Sequence, residues 1–560
     1  MKKKYMILWL AVLIFTGCSD FLDIKPNGVL DDEDLTGPEQ AEAQVIAAYS
    51  MLGNDHYDIP YSLWPYGNVR SDDAYKGGRD EADIQVFHFF EISQNIQVNF
   101  GEPDAFWFQA YISVNRCNTA IQNLKSLSLN ELPTRDLRIA ECRFLRGHFY
   151  FMLKNLYKYV PYLDDSIHSD DYHLVSNHEY TNDELWGKIA EDFKAAYDVL
   201  PEYQSEIGRP NRYAAAAYLA KTHLYKAYQQ DEKHNMTGVN AEDLREVLTY
   251  TEYVINSSYH LESDYSYNFL PGKYENGKEA IWSIQFSQND GTKFGRLNFS
   301  DVLNVPMGFT GSCDFHKPSQ NLVNAFKTSD GIPMFTTFNK EDYNSVEDKV
   351  DTRLYHTVAL VGYPYKYDTS TLFEESWTRT PSVYGFYSSL KENVALNDPH
   401  SVLLDPFRGN SKNRIVIRYA DVLLMRAEGL IELNREVEAL PLINQVRERA
   451  NNSLEMIPYA YNTEVELYVD GVNCTWTNAY ARQALRFERR LEFAMEGSRF
   501  FDLVRWGIAD QVLNTYYKEE ASKRDYYKNA YFDKNKSEYI PIPQNQVNFS
   551  KNVYKQNYNY

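Results

Sequence analysis

Two stretches of this chain combine residue types that recognise flat, polar-edged ligands. Between residues 53 and 104 stand Trp64, Tyr66, Asp72, Asp73, Tyr75 and Arg79, and between 261 and 320 stand Tyr274, Trp282, Asn289 and Phe309. An aromatic ring offers an apolar face on which sugar rings, bases or peptide groups stack, while carboxylate, amide and guanidinium groups beside it hydrogen-bond in pairs. We read these residues as candidate ligand contacts. Two of them also carry a structural reading: Trp282 lies in the alternating run Ile281-Trp282-Ser283-Ile284-Gln285-Phe286, and Asp73 is a residue type that caps turns.

Catalytic signatures do not appear. The chain has no G-x-x-x-x-G-K-[ST] loop, no H-E-x-x-H, no G-x-S-x-G and no glycine-rich dinucleotide turn after a strand. Glycoside hydrolysis requires only two carboxylates at a suitable separation, so it stands as the enzymatic alternative to plain binding. His168, His173 and His178 recur five apart, which matches neither helix nor strand facing, and read as polar-loop residues. Cys117, Cys142, Cys313 and Cys474 lack C-x-x-C spacing and read as buried free thiols. No catalytic residue, metal site or cofactor is assigned.

The elements that must position the candidate contacts are helices. Apolar residues recur at helical spacing over 36–52, 106–127, 135–157, 182–200, 212–229, 241–256 and 418–450, the last as a helix pair turning at Asn434. Thr36-Gly37-Pro38-Glu39 and Thr181-Asn182-Asp183-Glu184 read as capping boxes, and Ala214 to Ala217 would let a neighbouring helix approach closely. Pairs of this length resemble tetratricopeptide units. Residues 53–104, 261–412 and 508–560 lose the pattern and read as loop-rich. The expected architecture is mostly α: one domain over 36–560, with a tetratricopeptide-like scaffold from 36–52, 106–256 and 413–507 carrying a loop-rich ligand-binding layer.

Charge and the N-terminus restrict the setting. The chain carries a formal net charge of −21, and the first 17 residues contribute lysines but no acids, so the remainder is more acidic still. Without a concentrated basic face, nucleic acid is excluded as a partner. Lys2, Lys3 and Lys4 precede an apolar run from Met6 to Phe15, too short to span a bilayer, and then Thr16-Gly17-Cys18. This export signal resembles the lipobox of bacterial lipoproteins, which implies lipidation of Cys18 and a tether over 18–35. A soluble secreted chain with an incidental Cys18 is the alternative.

The stretch from Leu485 to Gly507, with Arg489, Glu492, Glu496, Arg499, Asp502 and Arg505 three apart in pairs, reads on its own as a structural charge network on a helix. It resembles the late helix motif of the SusD/RagB family, nutrient-binding outer-membrane lipoproteins of the Bacteroidetes. Other segments agree in order: Cys18 to Asp23, Trp107 to Asn118, Ala140 to Arg146, Arg418 to Glu428, Ile443 to Ala450 and Tyr539 to Pro543. Met495 stands where the family usually has glycine. The resemblance implies a surface glycan-binding protein, without catalysis, that delivers oligosaccharide to a SusC-like TonB-dependent transporter. It also implies anchoring in the outer membrane by the N-terminal lipid, facing the cell exterior. Peptide or another nutrient is the alternative cargo. Ala-Glu at Ala140-Glu141 and Ala427-Glu428 is expected to bond between helices.

Overall fold

A computed structural model describes residues 37–292 and 295–560 of the chain. Cys18, the export signal, the tether and Thr36 lie outside the described residues.

Helices Pro38–Tyr49, Gly101–Ser126, Arg135–Tyr157, Asn182–Val199, Arg212–Ala227, Ala241–Ile255, Tyr419–Glu432 and Glu436–Asn452 form the scaffold, each packed on the next in a continuous series. Asn182–Val199 begins in the expected capping box, Thr181 accepting from the Glu184 backbone while the Glu184 carboxylate accepts from that of Thr181. At the first helix the cap is instead Gly37, at φ 106, with Pro38 following and no side-chain cap bond. Ala214 to Ala217 are fully buried, so their helix is enclosed by both of its neighbours. This is the expected helical-repeat scaffold, and one hydrophobic core runs through it from Ala41 to Tyr554.

The loop-rich layer docks on the scaffold through short antiparallel pairings. Strand Ala280–Ile284 pairs with Arg414–Arg418, which leads directly into a scaffold helix, and Ala74–Gly77 pairs with Phe315–Pro318. The three stretches read as loops hold helices: Trp64–Val69, a π-type turn, and Gln85–Ile92 in the first, Gln320–Ala325 in the second, and Ala509–Glu520 in the last. In each case the helix buries a short apolar set, such as Phe87 with Phe90 or Leu513 with Tyr516. Residues 64–78 are buried without interruption despite carrying Arg70, Asp72, Asp73 and Lys76. All four remaining cysteines are free thiols.

Candidate functional site

The residues singled out in the sequence divide sharply by position. Trp64 is buried, edge-on to Phe87 at 5.2 Å, and its indole donates to the Ser300 carbonyl at 3.1 Å. Tyr66 packs edge-on to Phe106 at 5.5 Å. The Tyr75 hydroxyl donates to Glu520 at 2.9 Å. Trp282 sits between scaffold helices, 4.8 Å from Phe144, with its indole on the Gly208 carbonyl at 3.2 Å. Phe309 belongs to a small satellite core with Tyr365 and Phe373. None of these five rings presents a face to solvent, so they pack the molecule and are not stacking platforms. Arg79 and Asn289 are exposed, and Tyr274 is half-buried, tilted on Tyr267 at 4.7 Å.

Asp72 and Asp73 are likewise interior groups. Asp72 pairs with Arg499 at 2.9 Å and Arg490 at 3.1 Å, and Asp73 pairs with Arg490 at 2.9 Å. Burial alone would raise the Asp72 carboxyl, but Arg490 and then Arg499 outweigh it and hold it down at about 2. Both carboxylates therefore tie the 64–78 segment to the late motif.

That motif departs from simple i,i+3 pairing on one helix. The Asn478–Glu492 helix stops before Met495 at φ 64 and Gly497 at φ 83, and a separate helix, Arg499–Arg505, begins after them. A left-handed backbone at Met495 explains why glycine suits this position in the family. Only Asp502 and Arg505 pair as spaced, at 2.8 Å. Glu492 instead meets Arg353 at 2.8 Å and also pairs with Arg418 and Arg449, while Arg489 meets Asp421 at 3.0 Å and Asp502 at 2.9 Å. Glu428 holds Arg505, the Trp506 indole at 2.7 Å and the Tyr228 hydroxyl at 2.7 Å. Glu141 accepts from Arg138 and Arg209. Glu428 therefore bonds between helices as expected, whereas Glu141 bonds within its own helix and to Arg209 in the connection that precedes the Arg212–Ala227 helix. At the centre the Gly67 backbone rides on Gly497, whose carbonyl oxygen would lie 1.9 Å from an added Cβ.

The rings left open form a strip on the loop layer. His56 and Tyr57 are 4.0 Å apart, His56 stacks near Phe299 at 6.4 Å, and Tyr57 meets Phe407 at 5.1 Å. Tyr57, Phe299 and Phe407 are half-buried and His56 is exposed. Their backing is rigid: the Asp55 carboxylate accepts from the Ser300 hydroxyl, from Arg414 at 3.1 Å and from the Tyr61 amide at 3.3 Å. Trp64 thus acts on this strip from behind, fixing the Ser300 carbonyl next to Phe299. The His56 imidazole bonds Asp58 at 2.5 Å, and that bond leads the causes holding the exposed Asp58 carboxyl below its usual value. An ionised acceptor stands beside the rings.

Phe407 arrives on the hairpin Ser401–Leu404 with Phe407–Asn410. The hairpin is clamped by Arg408, whose side chain donates to the Thr310 carbonyl at 3.1 Å and the Ser401 hydroxyl at 2.9 Å. Gly311, at φ 82, lets Leu403 and the hairpin backbone approach. Beyond it, half-buried Trp377 lies against Gly308, where a Cβ would come within 2.2 Å of the indole, and exposed Met307 and Leu403 extend the apolar rim. Beneath the layer a partly open cavity of about 190 Å³ is bordered by Trp64, Lys412 and Glu496. That is below the ~300 Å³ of ordinary small-molecule pockets, so the outer strip is the better candidate for a chain ligand. His56, Tyr57, Phe299, Phe407 and Trp377 were not separable in the sequence from the buried aromatics around them.

The fold and this surface define a class: a helical-repeat scaffold carrying a loop layer with open aromatic rings. The sequence model of the SusD family matches residues 278–560, and a second, described as starch-binding associating with outer membrane, matches 20–224. The chain belongs to the SusD family. It is 25% identical over 580 residues to SusD-like protein P2 of Formosa agariphila, covering 100% of both chains. Among solved structures, a SusD superfamily protein from Bacteroides vulgatus superposes with TM-score 0.69 at 22% identity, over 93% of this chain and 98% of that one. Surface glycan-binding protein A from Bacteroides thetaiotaomicron, solved in complex with laminarihexaose, gives TM-score 0.66 at 21% identity, over 93% and 100%. At these identities the likeness establishes the fold.

Proposed function

We propose that this chain is a glycan-binding lipoprotein of the outer membrane, anchored through Cys18 on the cell's outer face. It captures oligosaccharide and delivers it to a SusC-like TonB-dependent transporter without catalysing a reaction. The observation that carries this reading is the strip of Tyr57, Phe299 and Phe407 with His56 and Asp58 beside it. Open rings next to an ionised acceptor suit pyranose faces and their hydroxyls, and a family whose matching description is starch-binding supports the same chemistry. Arg79, Tyr274 and Asn289 remain candidate contacts outside the strip.

A glycan array on the exported chain tests the cargo, followed by calorimetry on Phe407→Ala. A glycan ligand whose affinity falls in that variant supports the reading; peptide hits with no glycan hits overturn it. Fatty-acid labelling lost in Cys18→Ala tests the anchor, and co-purification with a β-barrel transporter tests delivery.

A further inference from the structure

A second open groove, about 690 Å³, lies away from the strip between the Asn478–Glu492 and Ala509–Glu520 helices and the 334–340 loop. The Asn478–Glu492 helix, which borders it, shows a difference among its four arginines. Arg482 is held by Glu432, Arg489 by Asp421 and Asp502, and Arg490 by Asp72 and Asp73. Arg486 has no acid or hydrogen-bond partner among the described residues. Its guanidinium lies over the Trp506 ring at 4.9 Å, and that ring is pinned in turn by its indole bond to Glu428. A half-buried guanidinium that stacks on an indole and lines an open groove can take a planar anion in bidentate fashion. Burial pulls Arg486 below its ordinary value, and the nearby Glu428 and Glu432 charges offset it only in part.

The surroundings specify more than charge. Phe335 and Phe338, both half-buried and each set edge-to-face with Phe487 at 5.3 and 5.7 Å, wall the groove, and exposed Gln483 and Gln511 line it. Apolar ring faces, amides and one unpaired guanidinium together match a sugar that carries a carboxylate: ring faces on phenylalanine, hydroxyls on the amides, the carboxylate on Arg486. We infer that this groove is a second saccharide subsite that selects uronic-acid residues. The inference rests on the glycan-capture reading and assigns to it an acidic component that the strip does not provide.

The test compares a galacturonate trisaccharide with the neutral galactose trisaccharide by calorimetry on the exported chain. The expected result is binding of the acidic sugar about tenfold or more above the neutral one, as a charge-assisted bidentate contact contributes. Arg486→Gln should remove that preference, and Arg486→Lys should retain part of it. Gln511→Glu, at an exposed position, should remove it by repulsion, and so keeps the test usable if Arg486→Gln unfolds. Tyr57→Ala on the strip should leave the preference intact. No preference in the parent chain, or a preference that survives both Arg486→Gln and Gln511→Glu, overturns the subsite. Capture itself fails separately, when the array yields no glycan ligand and no neutral sugar binds.

Discussion

The late-motif junction and the loop strip are built from the same residue types, aromatics beside acids and bases, and differ in whether those groups are closed by partners. At the junction, Glu492 is shared by Arg353, Arg418 and Arg449, all buried. On the strip, His56 and Asp58 pair in the open and three ring faces stay half-covered. Buried charge is stabilised by pairing, so the Glu492 cluster at the junction is costly to disturb. The strip has spare valences and little buried charge, so it can change without the fold changing.

Removing one partner at the junction should have the largest effect. Glu492→Ala leaves three guanidinium groups without their shared carboxylate, and should cost about 3–5 kcal/mol in urea unfolding. A loss under about 1 kcal/mol would mean that the remaining acids already neutralise the site. Trp64→Ala should cost about 3–5 kcal/mol through lost core volume, and should also weaken glycan affinity because Ser300 and Phe299 lose their support.

Acid titration sharpens the contrast. Burial would raise the Glu428 carboxyl, but Arg505 and its hydrogen bonds hold it at about 2, below its ordinary 4.5. Because the folded value is depressed, this stabilisation is fully present above about 4.5 and is lost as pH falls towards 2. Its size is about 3 kcal/mol at neutral pH. Unfolding free energy should therefore decline through that window, and Glu428→Gln should flatten the decline. The strip's smaller effect is on binding: Phe407→Ala should weaken glycan affinity by about 1–2 kcal/mol with stability changed by less than that.

Periodicity made most of the scaffold legible, since helices such as Asn182–Val199 and Ala241–Ile255 bury one stripe and begin on recognisable capping residues. The 64–78 segment was not legible as core, because Arg70, Asp72 and Asp73 look like solvent-facing residues until Ser537, Arg490 and Arg499 come up against them from over 400 positions away. For the same reason Trp64 and Tyr57 could not be told apart: both are aromatics in a stretch without helical periodicity, and only the position of Ser300 and the 401–410 hairpin decides which ring stays open. The late motif was legible as structural, but not its partners, since the helix break at Met495 redirects its charges.

The central claim is that open rings bind and closed rings hold, and Tyr57→Ala tests it most directly. Titrating the array-identified glycan into this variant by calorimetry should show affinity reduced by about 1–2 kcal/mol, roughly five- to thirtyfold, while the unfolding midpoint in urea stays at the parent value. Unchanged affinity, or a loss of affinity that merely follows a loss of stability, would contradict the account.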